Sequence, residues 1–154
     1  MAFIRCIILV VSFLFNFCSS HNTNATMNDF SPAIATWYGP PDGYGTALLD
    51  TGACGYGNVS LPPYNSMISA GNQALYKSGK GCGECYELKC TENPVCSGEP
   101  IKVYITDECP GACNDEPVWF DLGGRAFGYM GKPGQADAMR NLGRVKIWYQ
   151  SVPC

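Results

Sequence analysis

Three aspartates sit where acid–base or hydrogen-bonding chemistry could be done. Asp121 lies within Val118-Trp-Phe-Asp-Leu-Gly-Gly-Arg-Ala-Phe-Gly-Tyr-Met130, between two aromatics and a glycine-rich turn. Asp107 closes Ile105-Thr-Asp, and Asp50 stands just before Thr-Gly-Ala-Cys54. Cleaving a sugar–sugar bond with inversion needs two carboxyl groups, one to protonate the leaving oxygen and one to activate water, about 6.5–9.5 Å apart. Each aspartate alone also suits a turn or cap, a role the type fills often. The rest of the chain narrows the chemistry. Its one histidine is His21, so no Ser-His-Asp triad, Cys-His pair or His-ligated metal can be assembled. No glycine loop followed by Lys and Ser/Thr is present to cradle phosphate. Proton transfer falls to Asp, Glu or Tyr, and no metal or other cofactor is expected.

The elements that must position these groups are short strands. Residues 33–38, 85–90, 100–107 and 144–150 alternate in polarity. In the third, Ile101, Val103 and Ile105 face one way while Lys102, Tyr104 and Thr106 face the other. Eighteen glycines and eleven prolines punctuate the remainder, so turns outnumber helices. One helix is predicted from Pro133 to Leu142, with proline near its start and Gly143 as its stop. Many strands with little helix indicate a mainly β domain, a closed barrel or a sandwich.

Composition sets the compartment. Arg5 precedes an apolar run over 6–17 and small residues at Cys18-Ser-Ser20, the pattern of a secretory signal over 1–20. Residues 21–32 read as a polar arm, and 33–154 as one domain. Ten cysteines include Cys6 and Cys18 of the leader, so eight remain in an oxidising compartment and read as disulfides rather than zinc ligands. Asn24-Ala-Thr and Asn58-Val-Ser are acceptor sequences for glycosylation there. The formal net charge is −3 and no basic run occurs, which argues against a nucleic-acid partner. No stretch beyond the leader is apolar enough for stable membrane insertion.

Five segments occur in one order: Ala35-Thr-Trp-Tyr-Gly39, Gly52-Ala-Cys-Gly-Tyr-Gly57, Cys82-Gly-Glu-Cys-Tyr-Glu-Leu-Lys-Cys90, Ile105-Thr-Asp-Glu-Cys-Pro-Gly111 and Phe120-Asp-Leu-Gly-Gly-Arg-Ala-Phe-Gly128. In these the chain resembles the first domain of the beta-expansins, plant wall-loosening proteins related to the group-1 grass pollen allergens. The resemblance implies an all-β, six-stranded double-psi β-barrel related to family 45 endoglucanases. It implies the disulfides Cys54–Cys82, Cys85–Cys154 and Cys90–Cys96, leaving Cys109 and Cys113 to each other. It implies a glycan groove carrying Thr36, Trp37, Tyr38, Asp50, Asp107 and Asp121. In the related endoglucanases the counterpart of Asp121 is the general acid. Their base lies two residues after the tyrosine of the T-x-Y motif, where this chain has Pro40. Asp42 follows two residues later, in a turn sequence.

The chain departs from the family in having Trp119 where histidine is usual. An indole can stack on sugar, donate one hydrogen bond or pack in the barrel. Beta-expansins continue beyond the cysteine that matches Cys154 into a second, polysaccharide-binding domain, which is expected to be absent here. What the resemblance implies is a secreted, monomeric plant cell-wall protein that binds a matrix polysaccharide, of xylan or mixed-linkage glucan type, and loosens the wall without hydrolysis. Two alternatives stand beside it: a single-domain extracellular binding or signalling protein, and a weak lytic transglycosylase working with one acid.

Overall fold

β1 (Ser31–Tyr38) has its two neighbours in the last third of the sequence. It runs parallel to β5 (Trp119–Gly123) and antiparallel to β6 (Arg144–Val152). In the computed structural model, which describes residues 29–43 and 52–154, the remaining strands are β2 (Ile68–Gly71), β3 (Cys85–Lys89) and β4 (Ile101–Glu108). They close a barrel in the order β1-β5-β2-β4-β3-β6. Two pairings are parallel, β1 with β5 and β2 with β4, and the other four are antiparallel. A sheet closed in this way leaves no free edge among its strands.

The interior follows from period-two alternation. Ala35 of β1, Leu88 of β3, Val103 and Ile105 of β4, Phe120 and Leu122 of β5 and Ile147 of β6 are all buried. Phe120 packs edge-on against Tyr86, with ring centroids 5.4 Å apart. One expectation about β4 is corrected. Thr106, expected among solvent-facing residues, is buried, and it is the extra residue where the register against β2 slips between Ser69 and Ala70. That bulge makes Ala70 face Asp107 rather than Thr106.

Three short helices sit at the barrel ends: α1 (Gln73–Tyr76), α2 (Gly124–Tyr129) and α3 (Ala136–Asn141). The predicted helix over 133–142 is shorter than expected. Pro133-Gly134 form a turn instead, Gly134 has φ +76°, and the Gln135 N–H bonds the Lys132 carbonyl at 2.9 Å. Gly143, at φ +69°, ends α3 as predicted. α2 springs from β5 without a loop because Gly124 has no side chain. A Cβ there would lie 2.4 Å from the Pro40 carbonyl oxygen. β1 begins at Ser31, inside the segment read as a loose arm.

Disulfides join Cys54 to Cys82, Cys85 to Cys154, Cys90 to Cys96 and Cys109 to Cys113. Among the described residues no helix is long and apolar enough to cross a membrane. The leader, Asn24 and Asp50 lie outside the described residues.

Candidate functional site

Strand register brings the separated carboxylates into one row. Thr36 of β1 lies between Arg144 of β6 and Asp121 of β5. Asp121 faces Ala70 of β2, and Ala70 in turn faces Asp107 of β4. Residues directly opposite one another point to the same side of a sheet, so Thr36, Asp121, Ala70 and Asp107 form a band across the outside of four strands. Asp121 and Asp107 are two strand spacings apart, roughly 9–10 Å between backbones. Ala70 between them is small, which leaves a low floor between two acidic positions.

The two acids have different surroundings. The Thr36 hydroxyl donates to Asp121 Oδ1 at 2.5 Å, and the Trp119 indole N–H donates to Thr36 Oγ1 at 2.8 Å. Burial pushes the Asp121 carboxyl above the usual aspartate range. The Thr36 hydrogen bond opposes that rise, and the charge of Asp107 adds to it. Asp121 therefore keeps its proton to a higher pH than an exposed aspartate, as a group that donates hydrogen to oxygen must. Asp107 Oδ1 instead accepts two backbone N–H groups, from Ala53 at 2.7 Å and Glu108 at 2.8 Å. It is fastened as the cap of the loop that starts at Gly52. A Cβ at Gly52 would come within 2.7 Å of the Thr106 carbonyl oxygen, so only glycine lets the loop lie against β4.

The aromatic candidates divide. Tyr38 is half-buried, two residues from Thr36 and on its face of β1. Trp37 faces the other way. It packs against the core, and its indole N–H donates to the Arg140 carbonyl at 2.9 Å, fastening β1 to the end of α3. Strand alternation cannot present 36, 37 and 38 together, so Trp37, expected in the groove, lies on the opposite face of β1 from Thr36 and Tyr38. Trp119 is only 9% exposed, so it meets Thr36 rather than solvent. Its outer face carries the Arg144 guanidinium, 4.5 Å from the ring centroid, and Arg144 is paired with Glu116 at 2.5 Å.

Pro40 holds a turn closed by the Gly43 N–H on its carbonyl at 3.0 Å. Asp42 is exposed on that turn. It lines a cavity of about 690 Å³ with Arg125, Tyr129 and Lys132. Neither Asp121 nor Asp107 is among the residues lining that cavity.

A third aromatic group escaped the sequence reading. Tyr56, Tyr64 and Tyr104 meet in succession, the first pair tilted and the second edge-to-face, with centroids 5.3 and 5.2 Å apart. Tyr104 lies on β4 and Tyr56 on the loop tied to Asp107. The signal available was three tyrosines, but the 39 residues between Tyr64 and Tyr104 hide their meeting.

Residues 68–149 match the domain family described as lytic transglycolase. Expansin-B2 of Arabidopsis thaliana is 55% identical over 128 residues, covering 82% of this chain and 45% of that protein. Among solved structures, an expansin of Clavibacter michiganensis in complex with cellohexaose superposes with a TM-score of 0.56 at 22% identity, over 80% of this chain and 50% of that one. A GH45 endoglucanase in complex with cellobiose gives 0.52 at 21% identity, over 82% and 83%. These two likenesses are of fold. The chain spans about half the length of the curated relatives it matches. The register, the disulfides and the relatives converge: the chain belongs to the beta-expansin family, and its barrel is that family's double-psi domain.

Proposed function

We propose that this barrel is an exported plant cell-wall module that binds a matrix polysaccharide along the Thr36–Asp121–Ala70–Asp107 band and loosens its contacts without cutting it. The observation that carries the reading is the hydroxyl-held carboxyl of Asp121 across Ala70 from a backbone-fastened Asp107, and the family resemblance adds Pro40 at the position it gives to the endoglucanases' base. Among the described residues of the band one carboxyl is held as a proton donor, and proline at position 40 has no group that can activate water. Carboxyl groups hydrogen-bond sugar hydroxyls, and Tyr38 offers a face for a sugar ring, so the band suits binding. Xylan and mixed-linkage glucan are the ligand classes proposed, and the working unit is a monomer. The solved expansin in complex with cellohexaose, half of which shares this fold, supports the choice of ligand chemistry.

Export is part of the same proposal. Four disulfides are consistent with an oxidising compartment. Asn58 is exposed, and its Oδ1 accepts from Ser60 N at 3.0 Å and Ser60 Oγ at 2.6 Å, a surface placement that supports its use as a glycan acceptor.

Three measurements test the reading together. Pull-down on isolated wall fractions should retain the protein. Reducing-sugar release from soluble β-glucan or xylan should match the buffer blank. Heat-inactivated wall strips should creep under load when it is added. Retention with steady sugar release that vanishes in Asp121→Asn would replace the proposal with hydrolysis, and anhydro-sugar products would replace it with lytic transglycosylation. Absence of both retention and creep would turn the reading toward a protein partner.

A further inference from the structure

Glu116, Arg144, Trp119, Thr36 and Asp121 form one continuous line of contacts. The Glu116 carboxylate pairs with Arg144, Arg144 covers the Trp119 ring, the indole N–H reaches Thr36, and the Thr36 hydroxyl reaches Asp121. The line ends on one oxygen, Oδ1. Hydroxyls normally choose their direction, because each has one hydrogen and two lone pairs. An indole nitrogen has no such choice, since it donates and cannot accept.

We propose that Trp119 is a positioning residue: by donating to Thr36 Oγ1 it commits the Thr36 hydrogen to Asp121 Oδ1, and so makes Oδ2 the oxygen offered to a bound glycan. The inference rests on the reading of the Thr36–Asp107 band as the glycan face. Proton placement follows from it. Oδ1 is occupied as an acceptor, so the proton of the neutral carboxyl sits on Oδ2 and points toward ligand oxygen. An ionised Asp121 accepts ligand hydroxyls through the same atom. A histidine at 119, the usual family residue, can either donate or accept through a ring nitrogen, and leaves the Thr36 hydroxyl free to turn. The tryptophan of this chain removes that freedom. Arg144 and Glu116 hold the indole from outside, where solvent would otherwise let it rotate.

Among the described residues, the groups facing Asp121 are few. β1 contributes Thr36, β2 contributes apolar Ala70, and β4 contributes the Asp107 carboxylate, while Arg144 of β6 stands beyond Thr36. The experiment follows the Asp121 side-chain carboxyl by 13C NMR across a pH titration, assigned by its loss in Asp121→Asn. Trp119→Phe keeps a six-membered ring for Arg144 but removes the N–H along with the rest of the indole's five-membered ring, and the double substitution with Thr36 separates the two losses. Its Asp121 midpoint should move upward, because Thr36 is freed and donates less well to the carboxylate. Thr36→Val should move it further, and Thr36→Ser should restore it. Adding Trp119→Phe to Thr36→Val should produce no additional shift, since the indole acts only through the hydroxyl.

Affinity for wall fractions should fall in the same rank order. An unmoved midpoint in folded Trp119→Phe, or full additivity of the two substitutions, overturns the proposal and leaves Trp119 as packing alone. Should Trp119→Phe fail to fold, Trp119→His takes its place and is expected to lie between wild type and Thr36→Val. A His variant titrating like wild type with Thr36 present, or one that shifts the midpoint equally in the Thr36→Val background, overturns the inference. The parent reading fails by a different result: the midpoint order holds while no variant, nor the wild type, is retained by wall fractions.

Discussion

Asp121 and Asp107 are chemically the same residue type, and opposite outcomes are expected when each is changed. The folded-state pKa of Asp121 is raised, chiefly by burial. The folded protein therefore holds that proton more tightly than the unfolded chain does. The stability this supplies is fully present below the ordinary aspartate pKa and is lost as pH rises through the folded value. Asp121→Asn should accordingly raise the melting temperature at neutral pH, with the advantage shrinking toward pH 3, as thermal melts across pH will show. Glu84 carries the reverse sign. Its bond from Lys77, 2.6 Å at its shortest, and its bond from the Tyr86 hydroxyl lower its pKa, so its contribution is present at neutral pH and lost on acidification. Asp107→Ala strands two backbone N–H groups, and should cost about 1–2 kcal/mol in denaturant unfolding. Asp107→Asn keeps an oxygen for them and should cost less.

At the scale of elements, the two faces of β1 predict two phenotypes. Trp37→Phe breaks the bond to the Arg140 carbonyl and should lower stability by about 1 kcal/mol. Binding per folded molecule should stay as it was. Tyr38→Ala removes a stacking face worth about 1–3 kcal/mol by analogy with other aromatic platforms, and pull-down should weaken roughly ten-fold. Much of the strand framework was legible. Alternation marks β1, β3, β4 and β6 because each has one face in the core and one outside. β2 was missed for a physical reason: all four of its residues are buried, so Ile68-Ser-Ala-Gly71 shows no alternation, and it is too short for a propensity signal. α2 was missed because two of its six residues are glycine, which disfavours helix, and packing against the Pro40 turn and α3 overrides that preference. The carboxylates were visible as candidates through the family motifs. Their partners were not, since Thr36 and Asp121 are 85 residues apart and meet only through parallel pairing. The direction of Trp37 was available from alternation and outweighed by the adjacency of Thr36, Trp37 and Tyr38 in one motif.

For the whole molecule, the disulfides staple loops of very different size. Cys85–Cys154 spans 69 residues and Cys109–Cys113 spans 4. Loop-closure entropy gives about 4 kcal/mol for the long bridge and about 2 kcal/mol for the short one. Replacing each pair by alanine and measuring unfolding by denaturant should rank them in that order, and titration of unfolded, unreduced protein should find no free thiol among the eight cysteines. The arrangement of β1 has a consequence in time. This strand is made early, yet its neighbours β5 and β6 begin at Trp119 and Arg144. A ribosome therefore releases β1 long before anything exists for it to pair with, and pairing across such sequence distances is intrinsically slow. The barrel cannot assemble strand by strand during synthesis. It must close after β6 has emerged, while Phe120, Leu122 and Ile147 wait uncovered. In oxidative refolding, quenching at intervals should thus capture chains already bridged at Cys90–Cys96 and Cys109–Cys113, with the bond from β3 to Cys154 the last to appear.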